Sequence, residues 1–218
     1  FSSCDIEEIT VSISNSKYTS VNNCLIDQTA KSIILGCKKS IIPTDGSATK
    51  IGDYAFEGCT GLKTIDIPNT ITEIGLHAFD YCIELEKITI SENVTNIKDY
   101  AFDGCKNLKY INYIGTLSSW LKIEFGYKSN LLVNAQILEI NGNKIESLVI
   151  PNNITEIKNY AFYGYKGLTD IYIPQSVTCI QSDAFYDCTN ILNVYYDGDL
   201  SSWCLLDIWH TAASPLRY

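Results

Sequence analysis

Histidines, cysteines, carboxylates and tyrosines are the side chains of this chain that could do chemistry, and their spacing decides which chemistry. Histidine, the usual proton carrier at neutral pH, occurs only at His77 and His210. Neither has a partner at catalytic or metal-ligating spacing, so both are read as surface or packing residues. No G-x-S-x-G, phosphate-loop, dinucleotide or H-E-x-x-H pattern is present. The carboxylates are scattered and no pair stands apart. The expectation is a non-enzymatic chain with no catalytic residue, no metal and no cofactor.

The 9 cysteines suggest disulfides until their positions are compared. Cys59, Cys82, Cys105 and Cys188 each follow a Phe by three residues, and Cys4 stands in the same relation to Phe1. In one further copy the place is taken by Tyr165. A packing column tolerates that exchange and an obligatory bridge does not. With no C-x-x-C or other metal spacing, the column is read as a ladder of buried, reduced thiols acting as small hydrophobes. Cys24 and Cys37 lie outside it and are the one pair worth testing for a bridge.

The column exists because the chain repeats. "IGDYAFEGCTGLKTIDIPNTITEI" at 51–74 returns as "GLHAFDYCIELEKITISENVTNI", "KDYAFDGCKNLKYINY", "KNYAFYGYKGLTDIYIPQSVTCI" and "QSDAFYDCTNILNVYY". The Ala-Phe pair recurs at 55/56, 78/79, 101/102, 161/162 and 184/185, so every step is 23 residues except one of 60, one period plus a 37-residue insertion. A fixed period of 20–29 residues is the mark of a solenoid, whose coils contact only their neighbours. A second periodicity overlies the first: "YIGTLSSW" at 113–120 recurs as "YDGDLSSW" at 196–203.

Within one copy, Asp53 is placed to cap a short helix through Tyr54, Ala55, Phe56 and Glu57, with Gly58 free to end it in a left-handed conformation. The cap column continues through Leu76, Asp99, Asn159 and Ser182. In "LKTIDIP", Leu62, Ile65 and Ile67 point inward, and Pro68 closes the strand where its missing N–H breaks no ladder bond. Ile71 and Ile74 return the chain to the core. Ser118 or Ser119 can cap a helix carrying Trp120, Leu121 and Phe125, and "NGN" at 141–143 signals a tight turn. Stacked copies yield an α/β solenoid of roughly eight coils, a right-handed leucine-rich-repeat horseshoe. Its parallel concave sheet is drawn from segments near 6–11, 62–67, 85–90, 108–113, 145–150, 168–173 and 191–196, with the helical turns on the convex side. A parallel β-helix is the rival architecture.

The quoted repeat resembles that of the BspA-like (type 5 leucine-rich repeat) surface proteins of anaerobic bacteria and some parasitic protists. "YTSVNNCLIDQTAKSIILGCKKSIIP" at 18–43 resembles an insertion cassette of that family, as does "YIGTLSSWLKIEF" with "LEINGNKIESLVIP" between 113 and 151. The resemblance implies one leucine-rich-repeat domain over 1–218, with cassettes at about 12–48, 113–150 and 196–218. "FSSC" aligns with "FEGC" and neither end carries a polar capping unit, so the chain is expected to be part of a longer protein. The resemblance also implies an extracellular, cell-surface location.

The net charge of −9 and pI near 4.7 argue against a nucleic-acid partner, which would need clustered Lys and Arg. Such acidity keeps a strand-rich surface soluble and monomeric. No apolar run approaches the ~18 residues of a membrane span. Recognition is therefore sought on the outward positions of the sheet. These are charged early (Glu7, Glu8, Lys63) and aromatic late, which makes Tyr110, Asn112, Asp170, Tyr172, Asn193 and Tyr195 the candidate ligand-binding residues. High β-propensity of Tyr explains the same pattern without a ligand. Three functions fit: adhesion to a protein or host matrix, a carbohydrate-binding surface, or a structural spacer.

Overall fold

The computed structural model describes residues 6–129 and 131–208. Cys4, the "FSSC" alignment, His210 and the end of the last cassette lie outside the described residues. The chain opens with strands β1 (Tyr18–Val21), β2 (Cys24–Asp27) and β3 (Ser32–Leu35), paired antiparallel in that order. From β3 onward the ladder turns parallel, and coils follow that carry one short and one longer strand each. The first are β4 (Lys50–Ile51), β5 (Thr64–Ile67), β6 (Glu73–Ile74), β7 (Lys87–Ser91), β8 (Asn96–Ile97) and β9 (Tyr110–Ile114). Next come helix α1 (Leu117–Trp120), β10 (Glu124–Phe125), β11 (Ile137–Ile140) and β12 (Asn143–Lys144). The chain continues with β13 (Ser147–Val149), β14 (Glu156–Ile157), β15 (Asp170–Pro174), β16 (Cys179–Ile180), β17 (Asn193–Asp197), helix α2 (Leu200–Leu205) and β18 (Asp207–Ile208).

The longer strands alternate as the sequence predicts: Ile65, Ile67, Ile88, Ile90, Ile111 and Tyr113 are buried, while Thr64, Asp66 and Lys87 stay exposed. Strands β5, β7 and β9 run parallel in register, as do β13, β15 and β17. Six of the expected segments thus hold parallel strands, and the seventh does not. Residues 6–11 form no strand. Their backbone donors go instead to side chains of the adjoining hairpin, Ile9 N–H to Asn23 Oδ1 at 3.2 Å and Val11 N–H to Ser20 Oγ at 2.9 Å. The estimate of eight coils loses its first strand accordingly.

The "DYAF" segments are turns rather than capped helices. Tyr54, His77, Tyr100, Tyr160 and Asp183 all have positive φ, between 51° and 60°. This left-handed step breaks helical continuation and aims alternate N–H groups at the next coil. Tyr54, Phe56 and Gly58 donate to the carbonyls of Leu76, Ala78 and Asp80 at 2.7–2.9 Å. Asp53 does not cap its own turn either: its Oδ1 accepts from Leu76 N–H at 2.9 Å, and Asp99 does the same for Tyr127 at 2.8 Å. At these two positions the cap-column carboxylate staples one coil to the next. Helix α1 is capped by Thr116 rather than by Ser118 or Ser119, in a capping box with Ser119, and Phe125 falls beyond it in β10.

Beneath the turns the rings of Phe56, Phe79 and Phe102 stack at 5.0 and 5.2 Å, and Phe162 stacks on Phe185 at 5.5 Å. The thiols of Cys82, Cys105 and Cys188 are buried beside them, and each donates to the Phe carbonyl one coil back, at 3.0–3.1 Å. The thiol column is therefore hydrogen-bonded as well as apolar. Cys59, at its start, is only half-buried. Cys24 and Cys37 are buried and free. Cys24 donates to Ile41 O at 3.6 Å, and Ser40 Oγ accepts from Cys37 N–H at 2.8 Å.

The 60-residue step is not one coil with a decoration. The column of Ile51, Ile74 and Ile97 continues to Phe125, 28 residues on, and Ile157 takes the same place in its coil after another 32, so an additional coil occupies the interval. Its turn, around Lys128 (φ 49°), accepts from Tyr100 and Phe102 through the carbonyls of Tyr127 and Ser129. The longer periodicity is structural too. The Tyr113 ring meets Trp120 edge-on at 5.3 Å, and Tyr196 meets Trp203 at 5.0 Å, each pair at the same place in its own coil.

Among the described residues, no strand pairing joins β10 to β14 or β11 to β13. Both ladders stop at one seam while a single apolar cluster runs through it. Tyr165, the residue in the thiol column, explains how the seam closes. Its hydroxyl accepts from Leu138 N–H at 3.1 Å and donates to Ile145 O at 3.0 Å, satisfying backbone groups that the interrupted sheet leaves open. Trp120, fully buried, donates Nε1–H to Ala161 O at 3.1 Å, and Lys158 bridges Glu124 and Glu156 at 3.2 and 3.0 Å.

Candidate recognition surface

Parallel registry sorts the outward residues of the long strands into columns. One column runs Asp66, Thr89, Asn112, Glu139 through β5, β7, β9 and β11. Beyond the seam the equivalent column is Val149, Tyr172, Tyr195 through β13, β15 and β17. The change from polar to aromatic expected from the sequence coincides with the break between the two sheets.

The structure brings Asp170, Tyr172, Asn193 and Tyr195 together and leaves Tyr110 and Asn112 on the other sheet. Tyr110 is engaged inside the protein: Lys87 Nζ sits 4.7 Å from its ring centre and its hydroxyl donates to Glu139 Oε2. That bond to the carboxylate, reinforced by desolvation, raises the phenol's pKa. Asn112 is half-buried beside Thr89 and Glu139.

On the second sheet the rings of Tyr172 and Tyr195 stack at 4.5 Å and 12°, the spacing that neighbouring parallel strands impose. Both stay open to solvent, 40% and 46% exposed, and Val149 beside them is 62% exposed. Partial burial is the leading cause that raises the Tyr172 phenol pKa. Asp170 and Asn193 form a closed pair. Asp170 accepts from Thr169 Oγ1 at 2.7 Å and from Asn193 Nδ2 at 2.8 Å, and these bonds lower the carboxyl pKa. Their polar capacity is largely spent within the protein, which leaves the aromatic column as the feature a partner could use. A groove of about 310 Å³ runs along its edge, lined by Val149, Asn152, Tyr172, Pro174, Tyr195 and Asp197. Val149 belongs to the surface by register; its place as the outward residue two positions after Ser147 was the signal in the sequence.

His77 has a partner that spacing did not reveal. Its Nδ1 lies 2.7 Å from Oδ2 of buried Asp80, and its ring is sandwiched between Tyr54 at 5.0 Å and Tyr100 at 4.8 Å. The arrangement is one of packing. Among the described residues no group of three His, Cys, Asp or Glu is placed to hold a metal ion, and no helix is long and apolar enough to cross a membrane.

The model of the BspA-type leucine-rich repeat region matches residues 30–140 and 138–203, in 6 copies. The chain belongs to the BspA-type leucine-rich repeat family. Two solved structures share the fold, and a third is similar in sequence. A leucine-rich repeat protein of T. pallidum is 20% identical with a TM-score of 0.52, over 92% of this chain and 86% of its own. The pneumococcal vaccine antigen PcpA is 19% identical with a TM-score of 0.50, over 88% of this chain and 50% of its own. A leucine-rich cell surface protein of Faecalibacterium prausnitzii A2-165 is 27% identical with a TM-score of 0.48, over 95% of this chain and 46% of its own. The chain therefore spans about half the length of two of these three. No curated protein sequence matches it. A repeat solenoid of this family is an interaction or structural module in character.

Proposed function

We propose that this BspA-type solenoid is a non-catalytic recognition module of an extracellular surface protein, monomeric, and that it binds a protein partner through Val149, Tyr172 and Tyr195. The observation that carries the reading is the stacked, exposed pair Tyr172–Tyr195 flush with Val149 on one sheet face. Tyr supplies a large apolar face with a polar tip and loses little rotamer freedom on binding, which is why it is enriched at hot spots. A protein partner fits better than a sugar on this face, because Asp170 and Asn193 already satisfy each other. The extracellular location rests on the family.

The test is a binding screen against immobilised, deglycosylated host matrix proteins, run with the wild type and with Tyr172→Ala/Tyr195→Ala. The double variant is expected to keep its unfolding midpoint within a few degrees, since both rings are outside the core, and to lose binding at least tenfold. Unchanged affinity in that variant, with loss after Glu7 and Glu8 substitution, moves the site to the charged end. Silence of the wild type across the screen favours the spacer role.

A further inference from the structure

A second aromatic surface lies on the turns, away from the sheet. The rings of Tyr54, His77 and Tyr100 stack, Tyr100 meets Tyr127 at 5.7 Å, and contacts continue through Tyr160 and Tyr163 to Tyr186. The ribbon spans the whole series of turns, across the seam. Repeat geometry makes it: the first left-handed position of each turn holds Tyr54, His77, Tyr100, Lys128, Tyr160 and Asp183. Two of these six break the run of rings, Lys128 before Tyr160 and Asp183 after it. At that place the surface opens into a cavity of about 190 Å³ lined by Tyr127, Lys128, Tyr160, Tyr163, Asp183 and Tyr186.

The geometry points to this cavity as a binding subsite for one sugar ring of a neutral polysaccharide. A pyranose has apolar C–H faces and a rim of hydroxyls. Here four phenol rings supply flat apolar walls, with a carboxylate to accept and an ammonium to donate at the rim. Among the described residues no hydrogen bond ties up the four phenol hydroxyls or the Asp183 carboxylate, and these are the polar groups that a ligand in the cavity would meet. Lys128 Nζ lies 5.4 Å from the Tyr127 ring centre, held beside the cavity. Partial burial raises the Tyr160 and Tyr163 phenols, keeping them protonated donors. The volume falls below the ~300 Å³ at which drug-sized ligand pockets begin, which sets the scale at one ring. The chain's charge of −9 argues for a neutral glycan over an anionic one. A single shallow subsite gives a Kd of roughly millimolar order, and a long chain lying along the ribbon gains by multiple contacts.

The experiment is affinity electrophoresis of the whole chain through gels containing laminarin, mannan, glycogen or hydroxyethylcellulose. At least one should retard the wild type. Tyr186→Ala should reduce that retardation at least fivefold, and Asp183→Asn severalfold, while Tyr172→Ala/Tyr195→Ala leaves it unchanged. Asp183→Asn keeps a residue that tolerates positive φ, so it decides the matter if Tyr186→Ala impairs folding. The subsite is overturned if no polysaccharide retards the wild type. It is overturned equally if retardation survives Asp183→Asn in folded protein, or if the Tyr172/Tyr195 pair abolishes it.

Discussion

Tyr165 occupies a thiol position and does work that a thiol could not reach. Its hydroxyl serves Leu138 N–H and Ile145 O across the seam, so Tyr165→Phe should leave one buried and one part-buried backbone group unpaired and cost ~1–3 kcal/mol, read as a lower urea midpoint. Gly167 is coupled to it: a Cβ there would lie 2.2 Å from the Tyr165 hydroxyl. Gly167→Ala should therefore destabilise the wild type by roughly 1–3 kcal/mol and cost much less in a Tyr165→Cys background, a non-additivity that a double-mutant cycle measures. The thiols that remain in the column make a separate prediction. Burial pushes Cys59 up to about 11 and Cys188 to about 12, and Cys24, off the column, also to about 12, against 9.0 unperturbed. The folded chain then keeps protons that the unfolded chain releases, so their stabilisation is complete below pH 9 and is lost as pH rises through about 11–12. Urea midpoints should fall over that window, less steeply in Cys188→Val. At pH 8, iodoacetamide should modify exposed Cys204 first, and reach Cys82 and Cys188 only on unfolding, as peptide mass mapping would show. The column itself was legible from the period alone. The task of Tyr165 was not, because it depends on where two sheets part, a fact of tertiary pairing absent from any one repeat.

At the scale of elements, sequence reading succeeded where a local rule acts alone. "NGN" forms the turn between β11 and β12, with Asn141 and Gly142 at φ 51° and 73°, both left-handed as a two-residue type I′ hairpin demands. The long strands followed from alternation and a closing Pro. Reading failed where neighbouring coils compete for the same groups. Asp53 has the chemistry of an N-cap, yet its carboxylate serves the coil beside it, and "DYAF" becomes a ladder of turns because lateral bonds replace helical ones. The additional coil was hidden for a related reason: around Lys128 and Ser129 its turn lacks the Ala-Phe signature, although it accepts the same ladder bonds. Helix α1 obeys a local rule and offers a clean test. Thr116 Oγ1 accepts from Ser119 N–H at 3.1 Å, so Thr116→Ala should cost about 1 kcal/mol. The loss should appear in the thermal midpoint and should also loosen Trp120, whose fluorescence reports on the seam.

Across the whole molecule, a solenoid is a one-dimensional array whose stability is the sum of coil terms and interfaces between neighbours. Such an array comes apart first at its weakest interface. Within 50–125, consecutive coils share a ladder of short strands, a ladder of long strands, bonds between turns and a phenylalanine stack. At the seam both strand ladders are missing. What holds it among the described residues is the apolar cluster with four polar fastenings: the Tyr165 hydroxyl, the Trp120 indole, the Ser118–Asn153 hydrogen bond and the Lys158–Glu124 pair. The solvent-accessible ion pair and the exposed Ser118–Asn153 bond contribute little, so the hydrogen bonds of Tyr165 and Trp120 and the core carry the join. Native-state hydrogen exchange should therefore show β15 and β17 opening at lower free energy than β7 and β9, as a separate cooperative block. Tyr165→Phe/Trp120→Phe should widen that difference by lowering protection of β15 and β17 while leaving β7 and β9 nearly as protected as before. If all four strands exchange together in both proteins, the seam is energetically equal to any other interface and the array is one cooperative unit. The position of the seam also bears on recognition, because Val149, Tyr172 and Tyr195 lie entirely within the block expected to open first. A partner that seals this surface would bind only its closed form, so it should raise the protection of β15 and β17 more than that of β7 and β9. That asymmetry, measured on a complex, would place the contact on this side of the seam without any substitution.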